Sequence, residues 1–307
     1  MRRLVHGCSA LAILVGAAGL LHHDLASAQS PGRYSLSARA DSVGLIVAAT
    51  QAPLSPTGQI AFLTPSSTQA ILDSLGTSRA FASAPNIGDF LITLPGTITG
   101  LGAATGAIPP VPTPPFFVES DPINPERSEE VGPYSIRASS TETASSGEAR
   151  IGLSTLPPQV GSIATRASVS VDPDTGKIVA RATAEIEPFA VSTLVRIGEI
   201  RSQASLTYDP DAGVVKETSL SVGTITVGGT ELGLTDQGLV LAGAPLLPVD
   251  LAAVTGLLEG AGLGFEYIPA RETETSVTSA AVRLTFVQEV PSLGTATVTA
   301  LLGQVWE

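Results

Sequence analysis

Two segments 37 residues apart repeat one pattern, an alternating run that ends in Asp-Pro-Asp-x-Gly. The first runs from Ala167 to Gly176 (ASVSVDPDTG) and the second from Ala204 to Gly213 (ASLTYDPDAG). A period of two puts apolar side chains on one face and hydroxyls on the other, which is the pattern of a half-buried strand. At the end of each run, proline presets φ for the turn's second position. The aspartates bond back to nearby amides, and glycine takes the site of positive φ. A second alternating run leaves each turn, so both segments predict β-hairpins. A third and a fourth hairpin follow from Val222 to Leu241, turning at Gly228-Gly229 and at Asp236-Gln237-Gly238.

The remaining segments fit the same class. Tyr34 to Thr50 alternates and then turns continuously apolar, predicting one or two strands. Phe90–Leu94, Leu263–Ile268, Val277–Val290 and Thr295–Val305 predict further strands, with threonines on an exposed face. Two helices are expected. Ser66 or Ser67 would cap a short one over Thr68–Leu75, stopped by Gly76. Residues 248–260 form the second, with Leu251, Val254, Leu257 and Leu258 as its apolar stripe and Gly260 and Gly262 as its end. The expected fold is mainly β, a long curved antiparallel sheet built from hairpins, with helix 248–260 on its concave side.

Residues 1–28 read as a secretory signal peptide: Arg2 and Arg3, the apolar run Leu11–Leu21, then small residues at Ala26-Ser27-Ala28. Cys8 precedes the apolar run, which argues against a lipoprotein signal. The mature chain would begin at Gln29 and keep no membrane-spanning anchor. Residues 29–102 form a β-rich segment, residues 103–131 a proline-rich linker or loop, and residues 132–307 a body of hairpins that could share one domain with 29–102. The linker carries Pro109, Pro110, Pro112, Pro114, Pro115, Pro122 and Pro125, a density that excludes a helix or a central strand. Its Phe116-Phe117 pair is expected to staple it to the body. Gly132-Pro133-Tyr134-Ser135 echoes Gly32-Arg33-Tyr34-Ser35, as a duplicated opening strand would.

Cleavage would remove all three histidines (His6, His22, His23), the single Cys8 and Met1. With them go the side chains behind most neutral-pH nucleophile–base catalysis, zinc binding, disulfides and thiol redox. The net charge is −12, and Lys177 and Lys216 are the only lysines, so a nucleic-acid partner is excluded. No cofactor is expected.

Four aspartates, Asp172, Asp174, Asp209 and Asp211, are the metal candidates, since each alternating pair could reach a calcium ion. Neither turn carries the glutamate an EF-type loop needs at position twelve, where Thr183 and Leu220 stand. Turn geometry explains both loops better. Asp174-Thr175-Gly176 also spells the aspartic-protease triplet, but Asp-Pro separates it from its strand and Lys177 follows it. Glycosidase-like pairs could be drawn from Glu185 and Glu187, Glu272 and Glu274, or Glu129 and Glu130. Sugar sites also want aromatic platforms, and Trp306 is the only tryptophan. No catalytic residue is assigned.

Tyr34-Ser35-Leu36-Ser37-Ala38, Ser74 to Ser83 (SLGTSRAFAS), the repeated Gly-x-Tyr-Ser and the ending Gly294-Thr295-Ala296-Thr297-Val298-Thr299 resemble uncharacterised exported β-rich proteins of actinobacteria. Some of these are of the choice-of-anchor type. The resemblance implies an extracytoplasmic protein, secreted or associated with the cell envelope, and carries no catalytic residues with it. The leading expectation is a non-enzymatic β protein with a structural or interaction role and an envelope or extracellular partner. The alternative is a carrier of lipid or other apolar ligands in a cavity between sheet and helix, contacted by Leu251, Val254, Leu257 and Leu258. A hydrolase using carboxylates and serines ranks third.

Overall fold

The computed structural model describes residues 33–50, 59–86, 117–152, 161–191, 194–235, 238–241, 244–245, 256, 258, 260, 262–290 and 294–306. Within them the chain is mainly β, every strand pairing is antiparallel, and the strands form three sheets rather than one long sheet. The first sheet opens with β1 (Ser35–Ala49), β2 (Gln59–Leu63), β3 (Ser67–Asp73), β4 (Ser78–Ser83) and β5 (Phe117–Ser120). The second follows with β6 (Glu126–Val131), β7 (Tyr134–Ser140), β8 (Ala144–Gly152), β9 (Ser162–Val171) and β10 (Ile178–Ile186). After β11 (Phe189–Ala190) and β12 (Val195–Ile197), which start the third sheet, β13 (Ile200–Asp209) and β14 (Gly213–Val222) complete the second. The third then takes β15 (Ile225–Val227), β16 (Thr230–Thr235), β17 (Gly238–Leu241) and β18 (Ala244–Pro245). Finally β19 (Leu263–Ile268), β20 (Arg271–Glu272), β21 (Val277–Thr278), β22 (Ala281–Val290) and β23 (Gly294–Trp306) return to the first sheet.

The first sheet has the order β19-β22-β23-β1-β3-β4-β5, so strands from before and after the proline-rich stretch lie side by side. The second runs β14-β13-β10-β9-β8-β7-β6. These two sheets face each other, β3 and β4 over β8 and β9, and β1 and β23 over β10. Alanine is the commonest residue on their inner faces, with Leu72, Val169 and Ile178 among the larger ones. Ala38, Ala40 and Ala70 oppose Ala167, Ala180, Ala182, Ala184 and Ala204, all nearly inaccessible to solvent. Serines bond from one sheet to the other: Ser78 Oγ to the Ala144 carbonyl at 3.2 Å, Ser145 Oγ to the Arg79 carbonyl, and Ser120 Oγ with Ser140 Oγ at 2.8 Å.

The Asp-Pro-Asp segments form the turns expected of them. β9 pairs with β10 and β13 with β14 in continuous register, and Gly176 and Gly213 carry φ of 68° and 83°. The Gly228-Gly229 turn joins β15 to β16, and β16 pairs with β17 with Thr235 opposite Gly238. Near Gly198 and Gly223 the β13/β14 ribbon bends out of the second sheet and continues as β12 and β15. The two glycines pack backbone against backbone, and a Cβ on Gly198 would lie 2.8 Å from the Gly223 carbonyl carbon.

Several expectations change. Thr68–Leu75 is not a helix: Thr68, Ala70 and Leu72 point inward with a period of two on β3, and Gly76 belongs to the hairpin turn into β4. The alternation of buried positions, once pairing partners exist on both sides, overrides the apparent capping signal. Of the one or two strands expected over Tyr34–Thr50, the structure has one. The proline-rich stretch is not wholly a linker, because residues 117–120 and 126–131 are edge strands of the first and second sheets. Between them Asp121 accepts bonds from the Ile123 and Asn124 amides. Phe117 stacks on Phe81 with ring centroids 6.0 Å apart, half of the expected staple. Phe90–Leu94 lies outside the described residues, as does most of helix 248–260. Of that segment Gly256, Leu258 and Gly260 have helical backbone, and Leu258 is buried.

Candidate functional site

A crease crosses three neighbouring strands of the first sheet and determines where a site can form. On β1 the inward residues are Ala38 and Ala40 before it, then Val43 and Leu45 after it. On β23 the same change separates Val305 from Leu302 and Ala300, and the consecutive strands β21 and β22, each paired with β23, show it between Val277 and Val282. Each strand thus exchanges its buried face at one level, that of Ser42, Gly303 and Ser279. Gly303 has φ of 73°, and a Cβ there would sit 3.1 Å from the Ser202 Cβ. Serine hydroxyls take up the backbone groups that the irregularity frees. Ser42 Oγ donates to the Ser66 carbonyl and accepts from the Ser66 amide, each at 3.2 Å. Ser279 Oγ accepts from the Val305 amide and donates to the Gly303 carbonyl, also at 3.2 Å, and receives Ser202 Oγ at 2.8 Å.

Beyond the crease the lining changes from alanine to large apolar side chains. Val43 and Leu45 from β1, Leu284 and Phe286 from β22, and Val298, Ala300 and Leu302 from β23 form one wall of a groove. Ile163, Ile186, Phe189 and Val191 form the other, and Pro65 and Leu263 complete it. Its volume is about 490 Å³, and every described lining residue is apolar. Pockets that hold small organic molecules span roughly 300–1,000 Å³ and are predominantly apolar. The groove shares Val43, Ile163, Ile186, Leu284 and Leu302 with a hydrophobic cluster that also includes Leu258 and the third-sheet residues Val195, Ile197, Ile225, Val227 and Leu232. Of the four residues expected to contact an apolar ligand, Leu258 is in this cluster, while Leu251, Val254 and Leu257 lie outside the described residues. Most of the lining strands lie in segments predicted as strands, but β11, which carries Phe189, was not predicted. The groove was not, because it requires the pairing order and the crease, and neither is written in any single strand.

The outer face of the second sheet is a second concavity, of about 930 Å³, and is polar. Cross-strand register aligns its side chains in rows, one of which reads Ser128, Arg137, Glu148, Arg166, Thr183, Gln203, Ser219. Its charges largely satisfy one another: Arg137 with Glu126, Arg166 with Glu148 at 2.9 Å and Arg201 with Glu199 at 2.8 Å.

The aspartate turns sit at the same end of that sheet. Asp172 accepts from the Asp174 amide at 2.9 Å and the Thr175 hydroxyl at 2.8 Å, and the latter bond chiefly holds its carboxyl below the ordinary range. Asp209 accepts from the Asp211 amide at 3.0 Å. Among the described residues no three acidic, histidine or cysteine side chains gather as a metal would require. Glu187, half of one glycosidase-like pair, instead receives the Ser162 hydroxyl at 2.7 Å and the Ser162 amide at 2.6 Å. These two bonds lower its carboxyl, the hydroxyl more strongly. No protein-family model, curated protein or solved structure matches this chain.

Proposed function

We propose that this is a non-enzymatic binding protein that works outside the cytoplasm and holds a small apolar molecule or lipid chain in the groove beyond the crease. The observation that carries the reading is the groove itself, about 490 Å³ with no polar side chain among its described lining residues. Such a surface in contact with water is costly, at about 25 cal/mol for each Å² of apolar area, and a ligand of matching character recovers that free energy. Composition supports the absence of catalysis, since no histidine or cysteine occurs after residue 23. The signal-like leader supports the location. Relative to a role resting on surface or shape alone, the groove favours the carrier.

The test is native mass spectrometry of the purified protein, combined with titration of a solvatochromic apolar dye. Co-purified lipid mass, or saturable dye binding displaced by alkane, is the expected outcome. A clean apo mass together with no saturable dye binding would refute the reading.

A further inference from the structure

Burial across the wall that the first sheet gives to the groove changes in one direction. Register sets side chains of β1, β23 and β22 in rungs two residues apart. Nearest the crease, Val43, Leu302 and Val282 are all buried. One rung further, Leu284 is buried while Leu45 and Ala300 are half-buried. At the third rung Val47, Val298 and Phe286 are all half-buried. The opposite wall follows the same gradient, from buried Ile163 and Ile186 to half-buried Phe189 and Val191. Leu263, across from Phe286 on edge strand β19, is buried and bounds the groove on that side. At the crease the two sheets touch. Ser202 Oγ on β13 bonds Ser279 Oγ at 2.8 Å, and a Cβ on Gly303 would lie 3.1 Å from the Ser202 Cβ and 3.4 Å from the Ile200 Cγ2. The groove is therefore blind at the crease and open at its far end. Thr64, Ser66 and Thr165, whose buried hydroxyls have no partner, are not among its described lining residues. A polar group pushed to the blind end would lose its water and meet only apolar side chains.

We infer that the groove takes a single-chain amphiphile tail first, with the end of the hydrocarbon chain against Val43 and Leu302 and the polar head in water beyond Val298 and Phe286. This inference rests on the groove being a ligand site, and gives the ligand a direction and a length. Leu302 to Val298 is four residues of extended strand, about 13 Å, which an extended tail of about ten carbons spans. Ala300 stands midway and has the smallest side chain on that wall. It therefore sets the width through which the inner half of the tail must pass.

The experiment uses n-alkyl maltosides with tails of six to fourteen carbons as competitors for the bound dye, each below its micelle concentration, with the full chain. Affinity should rise about fourfold per added methylene and level off near ten carbons. Ala300→Leu and Ala300→Phe should bring the levelling-off forward, the phenylalanine by about five carbons, while the shortest tails bind as they do to the native protein, which shows that the fold is intact. 1,10-Decanediol, which would carry a second hydroxyl to the blind end, should bind at least about fivefold more weakly than 1-decanol. A rise that continues through fourteen carbons, or equal binding of diol and alcohol, would show that the groove is not blind and overturn the inference with the groove reading intact. Saturable dye binding that no maltoside displaces would overturn it in the same way. Failure of the dye, the maltosides and decanol alike would remove the groove reading and this inference together.

Discussion

The two ends of the sandwich are built from the same strands and differ in how close the sheets come. On the alanine side of the crease, Cα atoms of β3 and β9 lie within 8 Å of one another, inside the roughly 10 Å usual for packed sheets. A Cβ placed on Gly147 would collide with the Phe81 carbonyl oxygen. On the other side, leucine, isoleucine, valine and phenylalanine face inward and the walls leave a groove. Side-chain size accounts for the first half, because methyl groups allow the backbones to approach until serine hydroxyls bridge the sheets. The second half shows that large apolar residues alone do not fill a space. The inter-sheet bonds hold the separation at one end, and the crease turns the strands away at the other.

Substitutions should separate the two ends. Ala182→Leu, in the close-packed half, should destabilise the protein by about 3 kcal/mol, since no neighbouring space can take the added carbons. Denaturant unfolding with an unchanged m-value would measure this, and a loss below about 1 kcal/mol would contradict the packing described. Thr165→Val should have the opposite sign, stabilising the unliganded protein by about 1 kcal/mol by removing an unpartnered hydroxyl from the interior. Ala300→Leu, the same kind of enlargement but beside the groove, should change stability by less than about 1 kcal/mol. Its effect should appear instead as weaker dye binding. The smallest effect concerns Glu187, whose folded carboxyl is depressed by Ser162. A depressed carboxyl contributes stability that is present above its unfolded pKa and is lost as pH falls through its folded value. Ser162→Ala should raise the Glu187 midpoint toward that of an ordinary glutamate in an NMR titration, with little change in overall stability because the site is exposed.

Much of the fold was legible because the hairpins are local. Asp172-Pro173-Asp174 and Asp209-Pro210-Asp211 encode their own turns, and the alternating strands beside them follow. Gly228-Gly229 is equally local. Thr68–Leu75 was misread because Ala70, Ile71 and Leu75 fit a helical face as well as a strand, and only pairing with β1 and β4 decides between them. The groove was illegible for a related reason. Val43, Leu284 and Leu302 become neighbours through register between segments about 250 residues apart in sequence, and the shift of buried face at Ser42 and Gly303 breaks the alternation on which a strand's inner side is read. The unpartnered hydroxyls at Thr165 and Ser66 follow the same rule. A threonine in an alternating strand reads as an outward residue until the opposite sheet is in place.

The position of β23 has a consequence for how the molecule is made. The last strand lies between β1 and β22, near the middle of the first sheet. A nascent chain that ends before residue 294 would hold β1 with one edge bare over its whole length. Its first sheet would stay open until β23 docked. A bare edge is a template for pairing with another chain, so folding that stalls before β23 docks would be open to aggregation. The single tryptophan marks that event. Trp306 is placed when β23 docks and then lies under the Arg39 guanidinium, 4.9 Å from its ring centroid, so its fluorescence would time the closure of the whole fold.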